Sequence, residues 1–129
     1  MYNNAMNELF ARFGLNQKET TAFLELVQLG AKPISIWAGH AGINRSSMYV
    51  VFERLEKAGL VTTFLYKGVK YAQALPVIEL PALLKTKEEL IANTRALLQS
   101  SLPELQKLEK THGITPEIRF YEGVHRVGA

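Results

Sequence analysis

Apolar residues along the first sixty positions recur at helical spacing. Met6, Leu9, Phe10 and Phe13 follow an i, i+3, i+4, i+7 pattern, which predicts an amphipathic helix from about Asn3 to Phe13, stopped by Gly14. Asn16 then offers an N-cap oxygen with Glu19 three residues on, a capping-box pattern. Ala22, Phe23, Leu26 and Val27 supply the buried stripe of a second helix ending at Gly30. Pro33 suits a first helical turn, and Ile34, Trp37, Ala38 and Ala41 predict a short third helix closed by Gly42. Only Ile43 separates that glycine from another N-cap candidate, Asn44. Met48, Val51, Phe52 and Leu55 then mark a fourth helix over 44–58, ending at Gly59.

After Gly59 the texture changes. Val61 to Tyr66 and Val69 to Gln73 are rich in β-branched and aromatic residues and flank Lys67-Gly68, which reads as a hairpin turn. Two helices across a tight glycine-containing turn, followed by a hairpin, predict a winged helix-turn-helix over residues 1–75. Pro76 and Pro81 mark a junction to a Leu-, Lys- and Glu-rich segment, 76–111. There Leu83 and Leu84, Leu90 and Ile91, and Leu97 and Leu98 form apolar pairs spaced by sevens, continued by Leu102, Leu105 and Leu108. Such a stripe predicts a long helix packed along another helix, with Pro103 expected to bend or interrupt it. Residues 112–129 read as a loop and one short strand, Glu117 to Tyr121, expected to be the start of a truncated domain or a disordered tail. The fold class is therefore mainly α with a small β-hairpin, a winged helix-turn-helix followed by a long coiled-coil-like dimerisation helix.

In a helix-turn-helix the second helix enters the major groove of DNA, its N-terminal residues nearest the base edges. With Met48, Val51, Phe52 and Leu55 inward, Ser46, Val50, Glu53 and Lys57 lie opposite, Tyr49 and Arg54 on the flanks and Arg45 at the tip. Arg45, Ser46, Ser47, Tyr49 and Val50 are the groove candidates. Arg45 could pair with guanine or clamp a phosphate, and Tyr49 could reach a phosphate or complete the core margin. Arg54 and Lys57 are neighbours of the DNA backbone or solvated charges. Lys67 and Lys70 place cations on the wing, over 61–73, where they could meet the sugar-phosphate backbone or protect a strand edge from aggregation. Trp37 reads as core, its indole N–H turned to solvent or a carbonyl, and His40 as a surface residue.

Composition narrows the options. The chain has 129 residues and a net charge of +3, with neither Cys nor Asp. That removes disulfides, thiolate zinc sites, Cys nucleophiles and Asp-dependent triads. His40, His112 and His125 show no metal-ligand spacing, so no metal or cofactor is expected, nor an enzymatic activity. The whole positive excess falls within residues 1–72, the winged-helix part. No membrane span or leader pattern is visible, and a cytoplasmic location is expected.

The motifs together resemble the TrmB-type transcriptional regulators. Phe13-Gly14-Leu15-Asn16 with Thr20, Ala22, Phe23 and Gly30 resembles the family's opening segment. Gly42-Ile43-Asn44-Arg45-Ser46-Ser47-Met48-Tyr49 resembles its turn and recognition helix, and Leu55-Glu56-Lys57-Ala58-Gly59-Leu60-Val61 its exit. Pro116 to Gly123 resembles the element opening its effector-sensing domain. Asn44 stands where Pro is common in the family, and Gly39-His40 replaces a Glu-rich pair. The resemblance implies a dimeric regulator binding double-stranded DNA, with an effector, in many members a sugar, only where a longer chain carries the sensor. The leucine pairs would join two copies, parallel or antiparallel, or else pack back on the winged helix. A winged-helix adaptor within a transcription complex, binding DNA weakly or not at all, is the alternative.

Overall fold

The computed structural model describes residues 4–110. Elements follow in the order α1 (Asn4–Arg12), α2 (Gln17–Leu29), β1 (Lys32–Pro33), α3 (Ile34–Ala41), α4 (Arg45–Lys57), β2 (Val61–Tyr66), β3 (Val69–Ala74) and α5 (Leu80–Lys110). A 3-10 turn at Val77–Glu79 precedes α5. The expected strand at Glu117 to Tyr121, and the remnant of 112–129 containing it, lie outside the described residues.

The chain divides into two units, Met1–Thr86 and Lys87–Ala129. Leu80 and Leu83, at the start of α5, pack against the core of the first unit.

That core is assembled by the predicted stripes of α2, α3 and α4. Phe23, Leu26, Trp37, Met48 and Leu55 are fully buried among Ile34, Val51 and Phe52. Trp37 donates its indole N–H to the Ala22 carbonyl at 2.8 Å, so the largest core side chain also satisfies its one polar atom and ties α3 to α2. The capping box forms as expected. Asn16 Oδ1 accepts from the Glu19 amide at 2.8 Å, while Glu19 Oε1 accepts from the Asn16 amide at 2.9 Å. The stripe of α1 is only partly realised, because Phe10 is buried against Phe13 and Phe23 whereas Met6 and Leu9 stay exposed.

The described strands form one antiparallel sheet in the order β1-β3-β2. β1 is not foreseen by the sequence reading, which places Pro33 inside a helix. Pro33 instead pairs with Tyr71 and precedes α3 as its N-cap residue. Val61 and Ala72 turn one face of the hairpin into the core. Gly59, at φ 81°, links α4 to β2, and a Cβ there would meet Leu83 Cδ1 at 3.0 Å. Both the left-handed backbone and the close approach call for glycine.

The second unit is described through residues 87–110 of α5. Leu90, Ile91, Leu97, Leu98, Leu102, Leu105 and Leu108 are all exposed. Pro103 lies inside the helix, so the expected interruption does not occur. A proline removes one backbone N–H from the ladder, and the remaining turns of a 31-residue helix carry it past that gap.

Candidate nucleic-acid interface

Gly42 ends α3, and the Ile43 amide donates back to the Ala38 carbonyl at 3.0 Å. Three residues later α4 begins under its own cap. Asn44 Oδ1 accepts from the Ser47 amide at 2.8 Å and from the Ser46 hydroxyl at 3.2 Å. Asn44 thus satisfies an orphan donor of the first turn, which a proline side chain could not do.

Met48, Val51, Phe52 and Leu55 are all buried, and this fixes the rotation of α4 about its axis. Its other flank is open: Arg45, Ser46, Tyr49, Glu53 and Lys57 are exposed, and Val50 is 58% accessible. Ser47 is half-buried, and its amide is used by the cap.

Arg54 is exposed as well but has a partner that the sequence reading missed. Its Nε forms an ion pair with Glu19 Oε2, whose side chain is almost wholly buried. The Glu19 carboxylate therefore accepts from α4 on one oxygen and from its own cap on the other, bolting α4 to α2. The capping pattern identified Glu19, but nothing in the chain signals a contact thirty-five positions away.

The hairpin pairs Tyr66 with Val69 across a two-residue turn in which Lys67 and Gly68 have φ of 51° and 78°. Positive φ at both central positions matches the type I′ geometry that follows strand twist. Lys67 sits at the tip, its Nζ 5.4 Å from the Tyr66 ring centroid. Strand alternation divides the outer wing: Leu65 pairs with Lys70 on one face, while Phe64, Tyr66, Val69 and Tyr71 share the other. The Phe64 and Tyr71 rings stack at 5.4 Å. The sequence places Tyr66 and Tyr71 near the base of the wing, suited to the sugar-phosphate backbone, but gives no sign of their ring contacts with each other and with Phe64.

The β1–β3 pairing brings the first turn of α3 beside the wing. A cleft of about 280 Å³ opens there, lined by Ser35, Arg45, Tyr49, Val69 and Lys70 among others. Arg45, Tyr49 and Lys70, separate in sequence, are thus brought together. Lys67 and Lys57 do not line it.

A capped helix with an open polar flank, tight turn and adjoining wing is the geometry of a winged helix-turn-helix. Residues 9–76 match the family model described as the sugar-specific transcriptional regulator TrmB. The chain belongs to the TrmB family. No curated protein matches it. Among solved structures it is similar to TrmBL2, described as an archaeal chromatin protein with a novel mode of DNA binding. The TM-score is 0.61 at 24% identity, over 92% of this chain and 45% of TrmBL2. The chain thus spans less than half the length of that relative. It is also similar to a MarR family protein from Bacillus stearothermophilus, at TM-score 0.50 and 15% identity over 82% of this chain and 83% of the other. YusO from Bacillus subtilis gives 0.50 and 16%, over 85% and 83%. At these identities the likenesses show the fold alone.

Membership in TrmB makes this a winged-helix chain of a DNA-binding transcriptional regulator family. Among the described residues no helix is long and apolar enough to cross a membrane.

Proposed function

We propose that the protein is a sequence-specific regulator that binds double-stranded DNA as a homodimer, with α4 in the major groove and the wing on the backbone. The observation that carries this reading is the uncovered flank of α4, with Arg45, Ser46, Tyr49 and Val50 exposed beside a lysine-tipped wing. On that flank the Ser46 hydroxyl and the Val50 methyl groups suit base edges.

The apolar stripe of α5 supports the homodimer. Seven large apolar side chains from Leu90 to Leu108 are exposed, a patch that water disfavours and a second copy of the same stripe would cover. Two α4 helices would then read half-sites about one turn, roughly 34 Å, apart. The sugar specificity in the family's description is assigned here to a sensing domain outside residues 9–76, with the cytoplasm as the place of action.

Titration of duplex at two salt concentrations tests the reading. About three to five phosphate contacts per subunit give a log-log slope of roughly −5 to −9. Absence of binding at low salt, or binding indifferent to salt, rejects it. The adaptor reading is favoured by one feature, the exposed apolar wing with Leu65 at 72% and Phe64, Tyr66 and Val69 all accessible. A wing devoted to phosphates has little use for that surface.

A further inference from the structure

The cleft between the start of α4, the start of α3 and the wing presents two cations and no carboxylate. Arg45 and Lys70 come from elements twenty-five residues apart, and neither forms an ion pair among the described residues. An anion seated between two such cations is attracted by both. Ser35 and Tyr49 add hydroxyl donors to the same lining. The volume of about 280 Å³ leaves room for a phosphodiester and its flanking ester atoms.

We propose that this cleft seats one phosphate of the duplex backbone, gripped from two sides by Arg45 and Lys70, so that Arg45 fixes the register of α4 instead of reading a base. The assignment rests on the DNA-binding reading above and deepens it. A guanidinium presents paired N–H donors that match two phosphate oxygens, while the lysine serves as a point charge. A phosphate held between the helix and the wing sets how far α4 enters the groove. Base reading then falls to Ser46 and Val50, neither of which lines the cleft.

The test uses the whole chain with duplexes carrying a single neutral methylphosphonate, moved position by position, against wild type, Arg45→Ala and Lys70→Ala. One backbone position should cost wild type about tenfold in affinity, the scale of one charge-assisted hydrogen bond, and should cost either variant much less. The double variant should lose less than the product of the two single losses, because both cations serve one phosphate. Selection from a random duplex library should return the same preferred sequence for Arg45→Ala as for wild type. A changed base preference at one position, or independent losses in the double variant, overturns the assignment. Wild type that binds no duplex at low salt removes the DNA reading itself, an outcome distinct from all of these.

Discussion

Arg54 separates a structural cation from a DNA-contacting one. Its partner Glu19 is 3% exposed, whereas the arginine side chain is 57% exposed. Removing one member of a buried pair costs about 3–5 kcal/mol, because the other charge is left without compensation. That range must be discounted here, since the guanidinium is largely hydrated and Glu19 keeps the Asn16 amide. Arg54→Ala is therefore expected to lose about 2 kcal/mol, and for a domain of this size Tm should fall by about 10 °C. In a Glu19→Gln background, where no charge is stranded, the same substitution should cost about 1 kcal/mol or less. The measurement is urea and thermal unfolding by circular dichroism at fixed protomer concentration, paired with the salt dependence of duplex binding on the folded variant. The salt slope should not change, since the arginine already faces a carboxylate. Wild-type stability in Arg54→Ala together with a slope flattened by about one unit would refute the argument and return Arg54 to the DNA backbone.

Three further expectations follow from the same geometry. Lys67→Asn keeps a residue tolerant of positive φ at the wing tip and removes only the charge. It should weaken binding to all duplexes alike and flatten the salt slope by about one unit, read by anisotropy at several salt concentrations. Leu97→Glu with Leu98→Glu in α5 should shift sedimentation from dimer to monomer while the circular dichroism of the winged helix is retained; a dimer that persists would move the interface elsewhere. Gly59→Ala meets both a left-handed backbone and Leu83, and should destabilise the fold by about 1–3 kcal/mol in urea unfolding. An unchanged midpoint would mean that Leu83 yields without penalty.

The legible parts of this protein are those whose physics is local. The stripes of α2, α3 and α4, the Asn16–Glu19 capping box and the Lys67-Gly68 turn each depend on residues within a few positions of one another, so spacing in the sequence is enough to specify them. Even the open flank of α4 follows from four buried residues on its other side. The less legible features need a partner distant in the chain. A two-residue strand such as β1 has no alternation to betray it and exists only because β3 offers Tyr71 and Ala72 to pair with. The burial of Glu19 against Arg54, and the meeting of Arg45 with Lys70, arise when separate elements pack. Sequence alone therefore determined that α2, α3 and α4 form and which face each one buries, because period and caps act within a turn or two. Tertiary structure alone decided which exposed cation is occupied by a carboxylate and which pair is left facing a cleft, because those charges meet only after the chain has closed on itself.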